Sequence, residues 1–143
     1  MAENAQTAQL PLPKALKVLR AAYPLIDTWI PPLAKSIGVG FFLKPFKFSL
    51  PEREKAIAQQ AEVFSFNYAG DRIQAYKWGD ITSKYVLLVH GWSGRAMQFH
   101  AIIEALRDKG FGLISFDARA HGKSTGKRTN LVEMSDCIDL ISK

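Results

Sequence analysis

Up to about residue 60 the apolar positions recur at helical spacing, and beyond it they alternate or run together. Leu16, Leu19, Ala22 and Tyr23 share one helical face, which predicts an amphipathic helix that Pro24 interrupts. Ser49-Leu50-Pro51-Glu52 has the spacing of a capping box with proline in the first turn, and predicts a short helix through Gln60. Residues 1–13 show no period, end in Pro11-Leu12-Pro13 and read as a loose start. From Glu62 the period changes. Val63 to Tyr68 and Arg72 to Trp78 are rich in aromatic and β-branched residues around Ala69-Gly70-Asp71, the pattern of a β-hairpin.

Tyr85 to Val89 is an unbroken apolar run, which suits a strand buried on both faces of a parallel sheet. Arg95 to Lys109 predicts a helix with Phe99, Ile102, Ile103 and Leu106 on one face and Gly110 as its cap. Phe111 to Phe116 predicts a second buried strand. Asn130-Leu131-Val132-Glu133 then opens a helix striped by Leu131, Met134, Ile138 and Ile141. This order predicts an α/β fold: a helical segment over residues 1–60, then a hairpin and a parallel strand–helix–strand–helix over 61–143. A right-handed helical crossover should leave the strands at 85–89 and 111–116 adjacent and parallel. The last helix reaches Lys143 with no glycine or proline stop, which predicts that the fold continues past it.

Composition narrows the class. At 48% apolar and 22% charged residues, the 143-residue chain reads as globular, not disordered. The net charge of +6 leans toward residues 1–60, but no block of like charges marks a nucleic-acid site. It reads as mostly a solvated face, with a membrane-surface contact as the less favoured alternative. Cys137 is the one cysteine, so no internal disulfide is possible and a cytoplasmic location is the expectation. On its helix it reads as a small buried apolar residue. Met1 to Gln9 lack the basic start of a signal peptide, and Pro24 to Leu43 carry Asp27, Lys35 and three prolines, which a spanning helix tolerates poorly. Residues 14–60 are therefore expected to dock on the core, with Trp29, Phe41, Phe42, Phe46 and Phe48 buried there or under a lid.

The chemistry-bearing motifs follow the two apolar strands. His90-Gly91-Trp92-Ser93-Gly94 is a glycine-flanked turn leading into a helix N-terminus, where free N–H groups favour negative charge. Fixed N–H donors of that kind stabilise the oxyanion of an acyl-transfer intermediate. Asp117-Ala118-Arg119-Ala120-His121-Gly122-Lys123-Ser124 follows the second strand. Together, a strand ending in His-Gly-x-x-Gly, a helix, and a strand ending in Asp-x-Arg-x-His-Gly-x-Ser resemble the α/β-hydrolase family over Glu62 to Lys143. One position departs, because Ala120 stands where the family usually has glycine. The resemblance to serine esterase and lipase-like members implies that Trp92 gives its backbone N–H to the oxyanion hole. It also implies a triad ordered Ser, Asp or Glu, His, all beyond Lys143. The function implied is hydrolysis of an ester, thioester or related acyl bond in a small-molecule substrate by the full-length form, with no cofactor and no metal. This chain alone would be inactive. The alternative is a non-catalytic binding or regulatory module on the same fold.

Other patterns have plainer readings. Gly122-Lys123-Ser124-Thr125-Gly126 fits the nucleophile-elbow spacing, but it joins neither a strand nor a helix directly, so Ser124 reads as a loop residue. Asp117 stands where a phosphate-binding loop ending at Gly122-Lys123-Ser124 would need glycine. His90 and His121 have no carboxylate or cysteine at metal-ligand spacing and read as structural hydrogen-bonding groups. Asp117 and Arg119 read as ties that hold their loop down, and His100 as a partly exposed helix residue.

Overall fold

A computed structural model describes residues 14–143; the loose start expected over residues 1–13 lies outside the described residues. The chain divides into two compact units, Met1–Gly40 and Phe41–Lys143. Residues 41–60, grouped by sequence with the helical segment, thus fall in the unit that carries the sheet.

The first unit is a helical hairpin of α1 (Lys14–Trp29) and the start of α2 (Pro31–Phe42). Pro24 does not interrupt α1, contrary to expectation. Proline removes one N–H bond, but helices in proteins hold mainly through packing. Here the Tyr23 hydroxyl, next to the proline, donates to the Ala34 carbonyl across the hairpin at 3.1 Å, and Ala34 is fully buried. Pro31 opens α2, where its missing N–H needs no partner. No helix among the described residues is long and apolar enough to cross a membrane.

The second unit begins with α3 (Glu52–Gln59). Pro51 is its N-cap and no side chain caps it, so the expected Ser49 capping box does not form. A four-stranded sheet follows in the order β1-β2-β4-β3, from β1 (Glu62–Tyr68), β2 (Asp71–Trp78), β3 (Tyr85–Leu88) and β4 (Gly112–Phe116). The hairpin turn is Ala69-Gly70, both at positive φ, and Asp71 already pairs with Tyr68. β3 and β4 are adjacent and parallel, as the crossover rule requires. β4 also pairs antiparallel with β2, so the sheet is mixed.

β4 is buried along its whole length, whereas β3 is only half-buried. The expectation that both would be covered on both faces fails for β3 because it has β4 as its single neighbour in the sheet. The predicted helix from Arg95 begins as a 3-10 turn (Ala96–Phe99) and becomes α4 (His100–Arg107). Ile103 is fully buried, Phe99 and Leu106 pack beside it, and Ile102 points outward. Gly110 ends the element at φ +81, the left-handed geometry expected of a glycine cap. The last helix, α5 (Leu131–Ile141), opens as predicted. The Asn130 side chain accepts the Glu133 N–H at 3.0 Å. Met134 and Cys137 are buried, while Leu131 is exposed. Burial also pushes the Cys137 thiol up to about 11, which suits a packing role.

Helices cover both faces. Alternation along β2 sends Tyr76 and Trp78 to one face, where they meet Ile57, Met97, Ile103 and Leu113 from α3, the 3-10 turn, α4 and β4. Ile73 and Ala75 go to the other face, with Phe116 and α5. α3 is fixed by two further contacts. Trp78 Nε1 donates to the Ile57 carbonyl at 3.0 Å, and Glu54, 2% exposed, takes a two-pronged ion pair from Arg95 at 2.5 and 2.6 Å.

Candidate active-site turn

The residues before α3 and the loops after β3 and β4 converge at one end of the sheet. His90 and His121 lie face to tilted face, with ring centroids 4.8 Å apart. Each ring bonds its own loop through Nδ1 and the other loop through Nε2. His90 Nδ1 meets the Gly91 carbonyl at 2.7 Å, and its Nε2 accepts the Ala118 N–H at 3.0 Å. His121 Nδ1 meets the Arg119 carbonyl and its Nε2 accepts the Ser93 N–H, both at 3.0 Å. A ring nitrogen that accepts carries no proton, so both imidazoles are neutral and protonated on Nδ1. Burial lowers the pKa of each, that of His121 to about 4, against the pull of the carbonyl at Nδ1. The structural reading of both histidines holds.

Asp117 organises the rest. Its buried carboxylate accepts the Ala96 N–H at 2.8 Å, the Lys123 N–H at 2.9 Å and the Tyr76 hydroxyl at 3.1 Å. Burial and then this carboxylate raise the pKa of the Tyr76 phenol. A Cβ on Gly122, at φ +42, would sit 2.3 Å from the carboxylate, so glycine is needed there. The Ser124 hydroxyl accepts the Gln74 N–H at 2.8 Å and donates to the Asp117 carbonyl, and it is 2% exposed. Both its hydrogen-bonding roles are filled inside the fold, which suits a loop anchor and not a nucleophile. Arg119 bonds Asp71 at 2.7 Å and Glu133 at 2.9 Å, tying the loop to the hairpin turn and to α5. The same contact, with Thr125, holds the Asp71 carboxyl below its usual range. Asp117 and Arg119 are ties, as read. Ala120 takes φ +62, which explains why glycine suits its position.

The turn after β3 differs from expectation in one respect. The N–H groups that open the next helix are not free: Arg95 donates to Gln98 Oε1 at 3.3 Å and Ala96 to Asp117. Gly94 donates to Gly91 at 3.0 Å and Ser93 to His121. Among the described residues the Trp92 N–H has no such partner. The Trp92 ring, 39% exposed, stacks on Phe42 at 5.8 Å and meets His121 edge-on at 5.5 Å. A segment from the chain before α3 lies across the turn, held by Phe46 N–H to Ser93 Oγ at 3.0 Å. Of the aromatics expected in the core or under a lid, Phe41, Phe42, Phe46 and Phe48 are exposed, with Phe42 against Trp92. No group of three or more potential metal ligands occurs among the described residues.

Comparison with known proteins agrees with this geometry. A family model for hydrolases described as serine aminopeptidase S33 matches residues 81–142, which span β3 to α5. An esterase of Pyrococcus furiosus is similar at 23% identity over 70% of this chain and 41% of its own, with a TM-score of 0.55. This is the N-terminal portion of the α/β-hydrolase fold. The thioesterase domain of the curacin biosynthetic pathway shares it at 20% identity over 57% of this chain and 32% of its own, TM-score 0.53. So does an epoxide hydrolase of Aspergillus niger, at 19% over 61% and 26%, TM-score 0.51. The chain spans less than half the length of each of these hydrolases. A comparison with curated proteins finds no match.

Two contributions escaped the sequence reading. Glu54 sits in the charged run Glu52-Arg53-Glu54-Lys55, which reads as a solvated face. The available signal was its place three residues before Ile57, on the buried side of α3. The crossed histidine bonds carried no signal beyond the two His-Gly pairs, because their partners lie 28 residues apart.

Proposed function

We propose that the full-length protein hydrolyses an ester, thioester or related acyl bond, with the Trp92 backbone N–H as one oxyanion donor. The observation that supports this reading is the turn after β3. Its neighbouring N–H groups are committed to His121, Gly91 and Asp117, and the Trp92 donor is left on a partly exposed turn. A preorganised donor of that kind stabilises charge that develops only in the transition state. The likeness to an esterase and a thioesterase supports acyl transfer, in which charge develops on a carbonyl oxygen.

The experiment compares two substitutions in the full-length protein, assayed on a small acyl ester. Trp92→Phe keeps the N–H and should retain much of the turnover. Trp92→Pro removes it and should lower turnover by roughly 10²–10³, about 2.7–4 kcal/mol, with circular dichroism to confirm folding. Equal turnover in the two folded variants would remove the oxyanion role. The 143-residue chain itself should stay unlabelled by a fluorophosphonate probe, since Ser124 is engaged on both sides and Ser93 Oγ accepts the Phe46 N–H. Stoichiometric labelling of either serine would overturn that expectation.

A further inference from the structure

Two basic segments about 80 residues apart in sequence meet beside the Trp92 turn. The first, Phe42-Leu43-Lys44-Pro45-Phe46-Lys47-Phe48, alternates rings with cations. The second is the loop after β4, with Lys123, Lys127 and Arg128. Lys47 Nζ donates to the Ser124 carbonyl at 2.8 Å, and the Thr129 N–H to the Leu43 carbonyl at 2.9 Å, so the two form one surface. Both segments belong to the same compact unit.

Neither segment carries a negative charge, and the carboxylate that meets the second one, Asp71 on Thr125 Oγ1 at 2.9 Å, is already paired with Arg119. No carboxylate occurs between residues 41 and 51 or between 118 and 132. Lys44, Lys47, Lys123, Lys127 and Arg128 are all exposed, and none makes an ion pair among the described residues. Set among them are Phe46 and Phe48, 55% and 58% exposed. An exposed ring between two lysines does little in water, but it suits an interface where rings enter the acyl boundary and ammonium groups meet phosphates.

We propose that this face docks the protein on an anionic phospholipid bilayer, with Phe46 and Phe48 inserted and Lys44, Lys123, Lys127 and Arg128 against the headgroups, while Lys47 ties the two segments together. The docking goes beyond the proposed hydrolysis and does not need it, because it is read without turnover. It would place the Trp92 turn at the membrane surface. A nucleic acid would also be drawn to these cations, but it would ask for a groove that follows its backbone. Here the rings stand on a single strap.

The test is sedimentation of the 143-residue chain with two kinds of vesicle: phosphatidylcholine alone, and equal parts phosphatidylcholine and phosphatidylglycerol. Binding should appear with the anionic vesicles and be released by high salt. Lys44→Glu with Lys127→Glu and Arg128→Glu should weaken it by at least about ten-fold. Phe46→Ser with Phe48→Ser should weaken it several-fold with the charge unchanged. Lys17→Glu with Arg20→Glu, equally basic positions in the other unit, should leave it nearly unchanged. All of these positions are exposed, and a thermal melt followed by circular dichroism confirms that each variant folds. Equal binding to both vesicle types overturns the proposal. So does insensitivity to the phenylalanine pair, or competition by a single-stranded oligonucleotide that the same pair does not affect.

Discussion

The loops after β3 and β4 are built from the same few residue types, yet they use their polar groups in opposite ways. In the loop from Asp117 to Ser124, the carboxylate, the guanidinium, the imidazole and the hydroxyl all have partners inside the fold. In the turn from His90 to Gly94, the imidazole and the Ser93 and Gly94 N–H groups are engaged, while Trp92 keeps a backbone donor and an exposed ring. The difference shows a division of labour. One loop supplies rigidity, and the other is held rigid by it while presenting a group outward. The oxyanion role proposed for the Trp92 N–H would need such a supporting partner.

The largest effect should come from breaking the support. Asp117→Ala leaves three donors without their acceptor: the Ala96 and Lys123 N–H groups and the Tyr76 hydroxyl. A buried donor left unsatisfied costs about 1–3 kcal/mol, so a loss of at least about 3 kcal/mol is expected in urea unfolding of the chain. Trp92→Ala, at the partly exposed ring of the other loop, should cost only about 1 kcal/mol. Comparable losses from the two would erase the distinction between support and presentation.

Acid should attack the joint between the loops. An unfolded histidine titrates near about 6.5, while burial holds folded His121 near about 4 and lowers His90 as well. Between those values the unfolded chain binds a proton that the folded chain refuses. Stability is therefore fully present above about pH 6.5 and falls as the pH drops toward 4. For His121 the full shift corresponds to about 3 kcal/mol across that window. Protonation at Nε2 would also set an N–H against the Ser93 N–H it now accepts. Urea midpoints measured from pH 7.5 down to 4.5 should fall steadily in the native chain and more gently in His121→Gln. Parallel slopes in the two proteins would show that the acid sensitivity lies elsewhere.

Much of this arrangement was legible along the chain, and what was not has physical causes. The period change near Glu62, the parallel pairing of β3 with β4 and the positions of both motifs follow from local pattern and chain connectivity. Half-burial of β3 did not, since its apolar run looks the same at a sheet edge as in the centre. Nor did the filled helix start at Ala96, because its acceptor, Asp117, arrives from 21 residues downstream. The basic face was legible only in part: a membrane contact by the basic N-terminal third was the less favoured alternative, and the share of the loop after β4 was hidden for the same reason. Neither Lys44 with Lys47 nor Lys127 with Arg128 makes a charge block alone, and only folding adds them together.

The smallest effect tests the backbone of the two loops. Each holds one residue other than glycine in the left-handed region, Ser93 at φ +55 and Ala120 at φ +62. That conformation costs an ordinary residue about 1–2 kcal/mol, and glycine avoids it at an entropic cost of about 0.5–1 kcal/mol. At Ala120 the side chain is a methyl group with no bond to lose, and the N–H it gives to the Thr125 carbonyl survives substitution. The methyl is buried, at 2% exposure, and losing it offsets about 0.8 kcal/mol of the relief, so Ala120→Gly should stabilise the chain by at most about 0.5 kcal/mol. Ser93→Gly relieves the same strain but deletes the hydroxyl that accepts the Phe46 N–H, a bond contributing about 0.5–1.5 kcal/mol. Its net effect should be near zero or negative, and the strap carrying Phe46 should loosen, seen as faster amide exchange at Phe46. If Ser93→Gly stabilises as much as Ala120→Gly and leaves that exchange unchanged, the Ser93 hydroxyl does not hold the strap over the turn.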